Sequence, residues 1–481
     1  MNRILLYLLL SVCCLPLSAQ EAGNGANTLS SRLDTLIKYK LPQGSNVAIS
    51  VYDLTAKEPL YTYQADKLSR PASTMKLLTT ITALSRPEAD EPFRTEVWYK
   101  GAIENDTLRG DVYVIGGFDP EFDDSALDSL ADALARLPFT VIRGKVYGDV
   151  SMKDSLYWGS GWAWDDTPYS YQPYLSPLML NKGVVTVTAT PGERGEEARL
   201  AATPASSYYT LTNQTASRTP SAGRFRVSRN WLTNGNNILV TGNVDGRRAG
   251  TVNIYSSQDF FMRTLMDRLQ ARGIHCIADS CSSGDYAFDE FLQDSTSVQV
   301  AVYETDVQAV VKQIMKESDN LNAEAMLCRL GAQTTGKKRI SAEDGLTAIR
   351  ALIKQLGHNP DHYNLADGCG LSNYNYISPE LLVSFLKYAY SRTDVFQKLY
   401  KALPIGGIDG TLQYRMAKGT PSYRNVHAKT GSFTAINCLA GYLKAGNGHQ
   451  IAFAIMNQSV LSGREARAFQ DAVCDEVIKT K

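Results

Sequence analysis

The sequence predicts a mixed α/β (α+β) protein in which a helix-and-strand domain is interrupted by a long β-rich segment. Three observations point there. Apolar residues recur at helical spacing on both sides of that segment, at Leu77, Leu78, Ile81 and Leu84 and again at Val307, Val310, Val311, Ile314 and Met315. Strand patterns at 47–54, 60–63, 436–443 and 450–457 flank these helices. Between them, from about 86 to 295, short alternating runs are cut by Gly, Asp, Asn and Pro turns, as in Gly110-Asp111-Val112-Tyr113-Val114-Ile115-Gly116.

The chain has 481 residues, enough for two or three domains. Its 49 basic and 49 acidic residues cancel, which excludes the basic footprint of a nucleic-acid binder. Charged residues at 20% and aromatics at 9% exclude the composition of a disordered chain.

In chain order, residues 1–19 read as a signal peptide. Arg3 precedes an apolar run over 4–17, and Leu17-Ser18-Ala19 offers a cleavage site before Gln20. The run is shorter than the roughly 20 residues a membrane span needs, so export to a periplasmic location is expected, with no transmembrane segment in the mature chain. Cys13 and Cys14 offer a lipid-anchored alternative, against which stands the bulky Val12.

A short helix is expected over 31–39, a strand pair over 47–63, and a helix from Ser73 that stops before Arg86-Pro87. Within the β-rich segment, helices are expected at 125–137 and 259–272. Helical periodicity returns at Asp306, breaks at Glu317-Ser318-Asp319-Asn320 and resumes near Leu321. Ser378 and Pro379 open another helix as N-cap and first residue. Strands over 425–429, 436–443 and 450–457 and a helix carrying Phe469, Val473 and Val477 close the chain. Cys276 and Cys281 either close a small loop or stand as buried thiols. Cys328, Cys369, Cys438 and Cys474 show no metal-ligand spacing, so neither a metal nor another cofactor is expected.

Three short motifs carry chemistry: Ser73-Thr74-Met75-Lys76, Ser318-Asp319-Asn320 and Lys429-Thr430-Gly431-Ser432. Residues i and i+3 share a helix face, so Lys76 can reach the Ser73 hydroxyl. A helix N-terminus at Ser73 favours an alkoxide-like nucleophile, and a buried lysine with a depressed pKa can take its proton. Lys429 is expected to end its strand, where Gly431 lets the backbone pass close to a ligand and the cation suits a substrate carboxylate. Each motif alone is weak. Ser384-Phe385-Leu386-Lys387 and Ser228-Arg229-Asn230 are decoys in a helix interior and in the β-rich segment. All three in order, each on a suitable element, are a stronger signal.

With these motifs the chain resembles penicillin-binding proteins and serine β-lactamases. Its flanks narrow the resemblance to the D-alanyl-D-alanine carboxypeptidase/endopeptidase family of low-molecular-mass penicillin-binding proteins. The flanks are Arg70-Pro71-Ala72-Ser73, Gly116-Gly117-Phe118-Asp119-Pro120, Ser318-Asp319-Asn320-Leu321-Asn322-Ala323-Glu324, Asp367-Gly368-Cys369-Gly370-Leu371-Ser372 and Gly407-Ile408-Asp409-Gly410-Thr411-Leu412. Cys369 stands where relatives usually carry Ser, and Asn373 where a basic residue is common.

The resemblance implies a transpeptidase-like catalytic domain formed by 20–85 plus 296–481. In it an antiparallel sheet is covered by helices, and 86–295 is an insertion of two small domains. It implies Ser73 as nucleophile, Lys76 as base, Ser318 and Asn320 as proton relay and anchor, and Lys429 and Thr430 as carboxylate holders. Backbone amides of Ser73 and Ser432 would form the oxyanion hole. Lys76 would work neutral and Lys429 charged. The implied partners are peptidoglycan stem peptides and β-lactams, with carboxypeptidase and endopeptidase action both open and the oligomeric state unread. The rivals are a serine β-lactamase, whose class A form needs a Glu-x-x-Leu-Asn segment this chain lacks, and a non-catalytic wall-binding protein on the same fold.

Overall fold

The structure is a computed structural model and describes residues 28–277 and 286–480. The expected leader at 1–19 and Cys281, which the sequence reads either as closing a loop with Cys276 or as a buried thiol, lie outside them.

A five-stranded antiparallel sheet runs in the spatial order His427–Phe433, Ile436–Lys444, Gln450–Gln458, Asn46–Asp53, Glu58–Tyr63. The chain's beginning and end therefore meet in one sheet, with Val47 paired to Asn457 and Val51 to Phe453. The inner strands are apolar on both faces because both faces are covered. Leu439, Leu443, Ile451, Phe453 and Ile455 pack beneath helices Leu29–Lys40 and Gly463–Ile478, against Leu33, Phe469, Val473 and Val477. The alternate residues Cys438, Ala440, Tyr442, Ala452, Ala454 and Met456 join a larger core with helices Met75–Leu84, Asn320–Thr335, Ala342–Gln355, Pro379–Ser391 and Thr393–Ala402. Alanines on this face let the Pro379–Ser391 helix approach the sheet closely.

The intervening segment has its own core. Strands Phe93–Glu104, Thr107–Gly116 and Ser297–Thr305 lead a seven-stranded sheet backed by helices Asp124–Ala135 and Ser257–Ala271. Two three-stranded sheets follow, one built on Asn237–Val244 and one on Val184–Thr190. Arg268 and Arg272 reach Asp124, Asp128 and Asp132 across the two helices at 2.6–3.2 Å.

Two expectations shift. The sequence reading ends the β-rich segment at 295, but Ser297–Thr305 pairs antiparallel with Phe93–Glu104, so that sheet continues to Thr305. The alternation at Val298, Val300 and Val302 runs straight into the helical stripe at Val307. Nothing local marks which sheet such a strand joins. The strand expected to end at Lys429 instead extends through Gly431 to Phe433, pairing Gly431 with Cys438.

Candidate active site

Ser73 lies in a single 3-10 turn, Ala72–Thr74, that leads directly into helix Met75–Leu84. Ala72 holds φ at +46°, an uncommon conformation for alanine that aims the turn at the sheet edge. Every residue of the helix is buried, Lys76 included. The i, i+3 spacing brings Lys76 Nζ to 2.9 Å from Ser73 Oγ. The same ammonium group reaches Asn320 Oδ1 at 2.6 Å and the Cys369 carbonyl at 2.6 Å. The Asn320 amide is oriented from its other end, where Nδ2 donates to the Tyr171 carbonyl at 2.8 Å.

Ser318 occupies the break between helices. The turn Gln313–Glu317 widens to a π-helix, and Ser318 adopts φ +61° before Asp319 caps helix Asn320–Thr335 by accepting from the Asn322 amide. Two lysines pin this break through three ion pairs. Lys316 Nζ lies 2.6 Å from Asp409 Oδ2, and Lys182 Nζ lies 2.7 Å from Asp319 Oδ2 and 2.8 Å from Glu121 Oε1. Ser318 Oγ accepts from Lys429 Nζ at 2.7 Å, and Lys429 also donates to the Thr430 carbonyl at 2.9 Å. The Thr430 hydroxyl meets Thr411 at 2.8 Å.

Gly431 explains how the strand carrying Lys429 lies against the nucleophile turn. A Cβ there would stand 2.5 Å from the Pro71 carbonyl oxygen and 3.1 Å from the Ser73 nitrogen. Ser73, Ser318, Asn320 and Ser432 line a cleft of about 500 Å³, with Asp165, Asp166 and Tyr171 on its rim. A second hollow of about 450 Å³ extends from Ser73 past Thr430 and Ser432 toward Arg415 and Arg467.

Burial pushes the Lys76 ammonium below its ordinary value, opposed by the acidic groups Asp367, Asp319 and Glu324. Lys429 is pushed down well below its ordinary value, by burial and then by the charge of Lys76. Burial thus disfavours the charged form of both lysines, and the charge of Lys76 disfavours that of Lys429 further. Asp367, Asp319 and Glu324 lie around Lys76, and no acidic group figures among the causes that act on Lys429.

The structure brings together Ser73, Lys76, Ser318, Asn320, Lys429, Thr430 and Ser432. It disperses the decoys. Ser384 pairs with His358 Nε2 at 2.9 Å while Lys387 lies 3.9 Å from the centre of the Tyr52 ring. Arg229 is buried against Asn253 and Tyr174. Sequence reasoning missed Tyr171, Asp165, Asp166 and Lys182, which approach from the intervening segment. Among the described residues, Glu324, Asp367 and Cys369 bring ligand-type atoms within 4.8 Å of one another. Hydrogen bonds already occupy them: Asp367 accepts from Gly370, Ser372, Asn375 and Trp162, and Glu324 from Gly368 and Cys369. That environment suits a structural clamp better than a metal.

With this geometry in hand, residues 29–478 match the D-Ala-D-Ala carboxypeptidase 3 (S13) family. The chain belongs to that family. It is 29% identical over 476 residues to the D-alanyl-D-alanine carboxypeptidase of Actinomadura sp. (strain R39), covering 95% of this chain and 86% of that one. It is 24% identical over 418 residues to D-alanyl-D-alanine carboxypeptidase DacB of Haemophilus influenzae, covering 86% and 85%. The crystal structure of penicillin binding protein 4 (dacB) from Haemophilus influenzae shares the fold, with a TM-score of 0.80 at 22% identity over 93% of this chain and 99% of that one. This chain is thus a hydrolase, a serine-type D-Ala-D-Ala carboxypeptidase of the penicillin-binding class. The β-lactamase and non-catalytic readings give way to it. No helix among the described residues is long and apolar enough to cross a membrane.

Proposed function

We propose that the enzyme cleaves the terminal D-Ala-D-Ala amide of peptidoglycan stem peptides through an acyl-enzyme on Ser73. The observation that carries this reading is Lys76 Nζ, buried and 2.9 Å from Ser73 Oγ. Neutral Lys76 takes the hydroxyl proton as Ser73 Oγ attacks the carbonyl carbon. The Ser73 and Ser432 amides receive the oxyanion, each donor worth ~3–4 kcal/mol in other serine enzymes. The proton passes through Ser318 to the leaving nitrogen, the C–N bond breaks and D-Ala departs. Water then attacks the ester and restores Ser73.

The lysine charges fit this order. An arriving substrate carboxylate places an anion beside Lys429 and Thr430, which favours the Lys429 ammonium. That cation then drives Lys76 further toward its neutral form. Asp165 and Asp166 on the rim suit a cationic group on the stem peptide.

The same nucleophile would acylate with β-lactams, and penicillin binding protein 4 of Haemophilus influenzae is known in complex with one. A leader at 1–19 would export the enzyme to the periplasm, where stem peptides lie. The inserted segment's own apolar core supports a division into catalytic domain and insertion, with the insertion's sheet running on to Thr305 and Phe93, Phe118, Leu175 and Met179 packing into the catalytic core. D-Ala release from a synthetic stem pentapeptide tests the reading: wild type should release it and Ser73→Ala should not. Equal release by both would end it.

A further inference from the structure

Glu324 follows the second motif on helix Asn320–Thr335, and no step above uses it. Its side chain is only 4% exposed. The Gly368 and Cys369 amides both donate to its Oε1, at 2.9 and 2.8 Å. The carbonyl of that same Cys369 accepts from Lys76 Nζ at 2.6 Å, and the Gly368 carbonyl accepts from Thr79 Oγ1 at 2.7 Å. Thr79 lies one turn beyond Lys76, so this short backbone stretch is tied to the nucleophile helix at two points. Gly370 presses on the same turn, since a Cβ there would stand 1.9 Å from the Ala72 carbonyl oxygen. Glu324 thus supports, from behind, the carbonyl that holds the base.

We propose that Glu324 is a positioning residue of acylation: its carboxyl fixes the Cys369 carbonyl against Lys76, and its charge, when present, opposes the neutral form of Lys76. The proposal rests on the reading of Ser73 as nucleophile and Lys76 as base. The ionisable groups around Glu324 are Asp367 and the Cys369 thiol on the facing loop, Lys76 on the nucleophile helix and Cys328 on its own helix. Lys153, Asp154, Glu343 and Arg350 line a cavity of about 440 Å³ that Glu324 also borders.

Burial, and then the charge of Asp367, raise Glu324 to about 7. Below that pH its carboxyl is largely neutral and still accepts both amides through a carbonyl oxygen. The Lys76 ammonium then loses a stabilising anion and deprotonates more readily. Above that pH the carboxylate favours the protonated lysine. Gln at 324 keeps the accepting oxygen and removes the charge, whereas Ala removes both.

The test is the acylation rate with benzylpenicillin across the neutral pH range for wild type, Glu324→Gln and Glu324→Ala, with thermal melts alongside. Glu324→Gln should stay active with the acidic limb of its profile moved to lower pH by about one unit. Glu324→Ala should lose about tenfold at every pH, because two buried amides are left unpaired. A Glu324→Gln limb that coincides with wild type overturns the proposal, and this arm decides alone if the alanine variant does not fold. Two variants with identical rates and profiles also overturn it. Failure of wild type to acylate at Ser73 would instead count against the underlying reading of the nucleophile.

Discussion

Lys76 and Lys429 are both fully buried, yet their surroundings differ. Lys76 has acidic groups nearby, while Lys429 meets a hydroxyl and a carbonyl. A base must lose its proton at working pH, so arginine cannot replace Lys76. Lys76→Arg should lower the penicillin acylation rate by about two to four orders of magnitude at every pH. Lys429→Arg keeps a cation for the carboxylate and should retain partial activity. In wild type the acidic limb of the profile should fall below the ordinary lysine value, because burial depresses Lys76. An active Lys76→Arg beside a dead Lys429→Arg would assign the base to the other lysine. The pairing of Ser73 with Lys76 is legible in the sequence because residues three apart on a helix share a face. The Cys369 and Tyr171 carbonyls that hold Lys76 and Asn320 are not legible, because any residue can supply a carbonyl and only the tertiary fold selects which one does.

The elements carry the site through close backbone approach. The Lys429 strand runs past the Ser73 turn at a distance only a glycine at 431 allows. Gly431→Ala should push strand His427–Phe433 away from the turn and lower acylation about tenfold or more, with the cooperative thermal transition retained. Unchanged acylation would show that the strand can yield by the needed amount without cost. The strand expected to end at Lys429 runs on through Gly431 despite the low strand preference of glycine. The ladder to Cys438 overrides that preference, since a sheet edge packed against a helix turn needs a residue without a side chain. The helix break at Ser318 was legible from Glu317-Ser318-Asp319-Asn320. The ion pairs from Lys316 and Lys182 that hold it were not, as their partners lie far away in sequence.

For the whole molecule, the division into a helix-and-strand domain and a β-rich insertion follows from composition and pattern, while its seams do not. The switch from helical to alternating texture marks the β-rich segment, and its separate core agrees with that texture. That segment does more than fill a gap. Its loops supply the Tyr171 carbonyl to Asn320 and Lys182 to Asp319, so the second motif is held partly from outside its own helix. Such contacts leave no periodic trace in a sequence. Every catalytic step proposed for this enzyme requires that Ser73 is the residue acylated. Purified protein incubated with benzylpenicillin, digested and mapped by mass spectrometry tests it most directly. A single acyl group should appear on the peptide containing Ser73, disappear in Ser73→Ala and persist in Ser384→Ala. Acylation at Ser384, or undiminished labelling of Ser73→Ala, would contradict it.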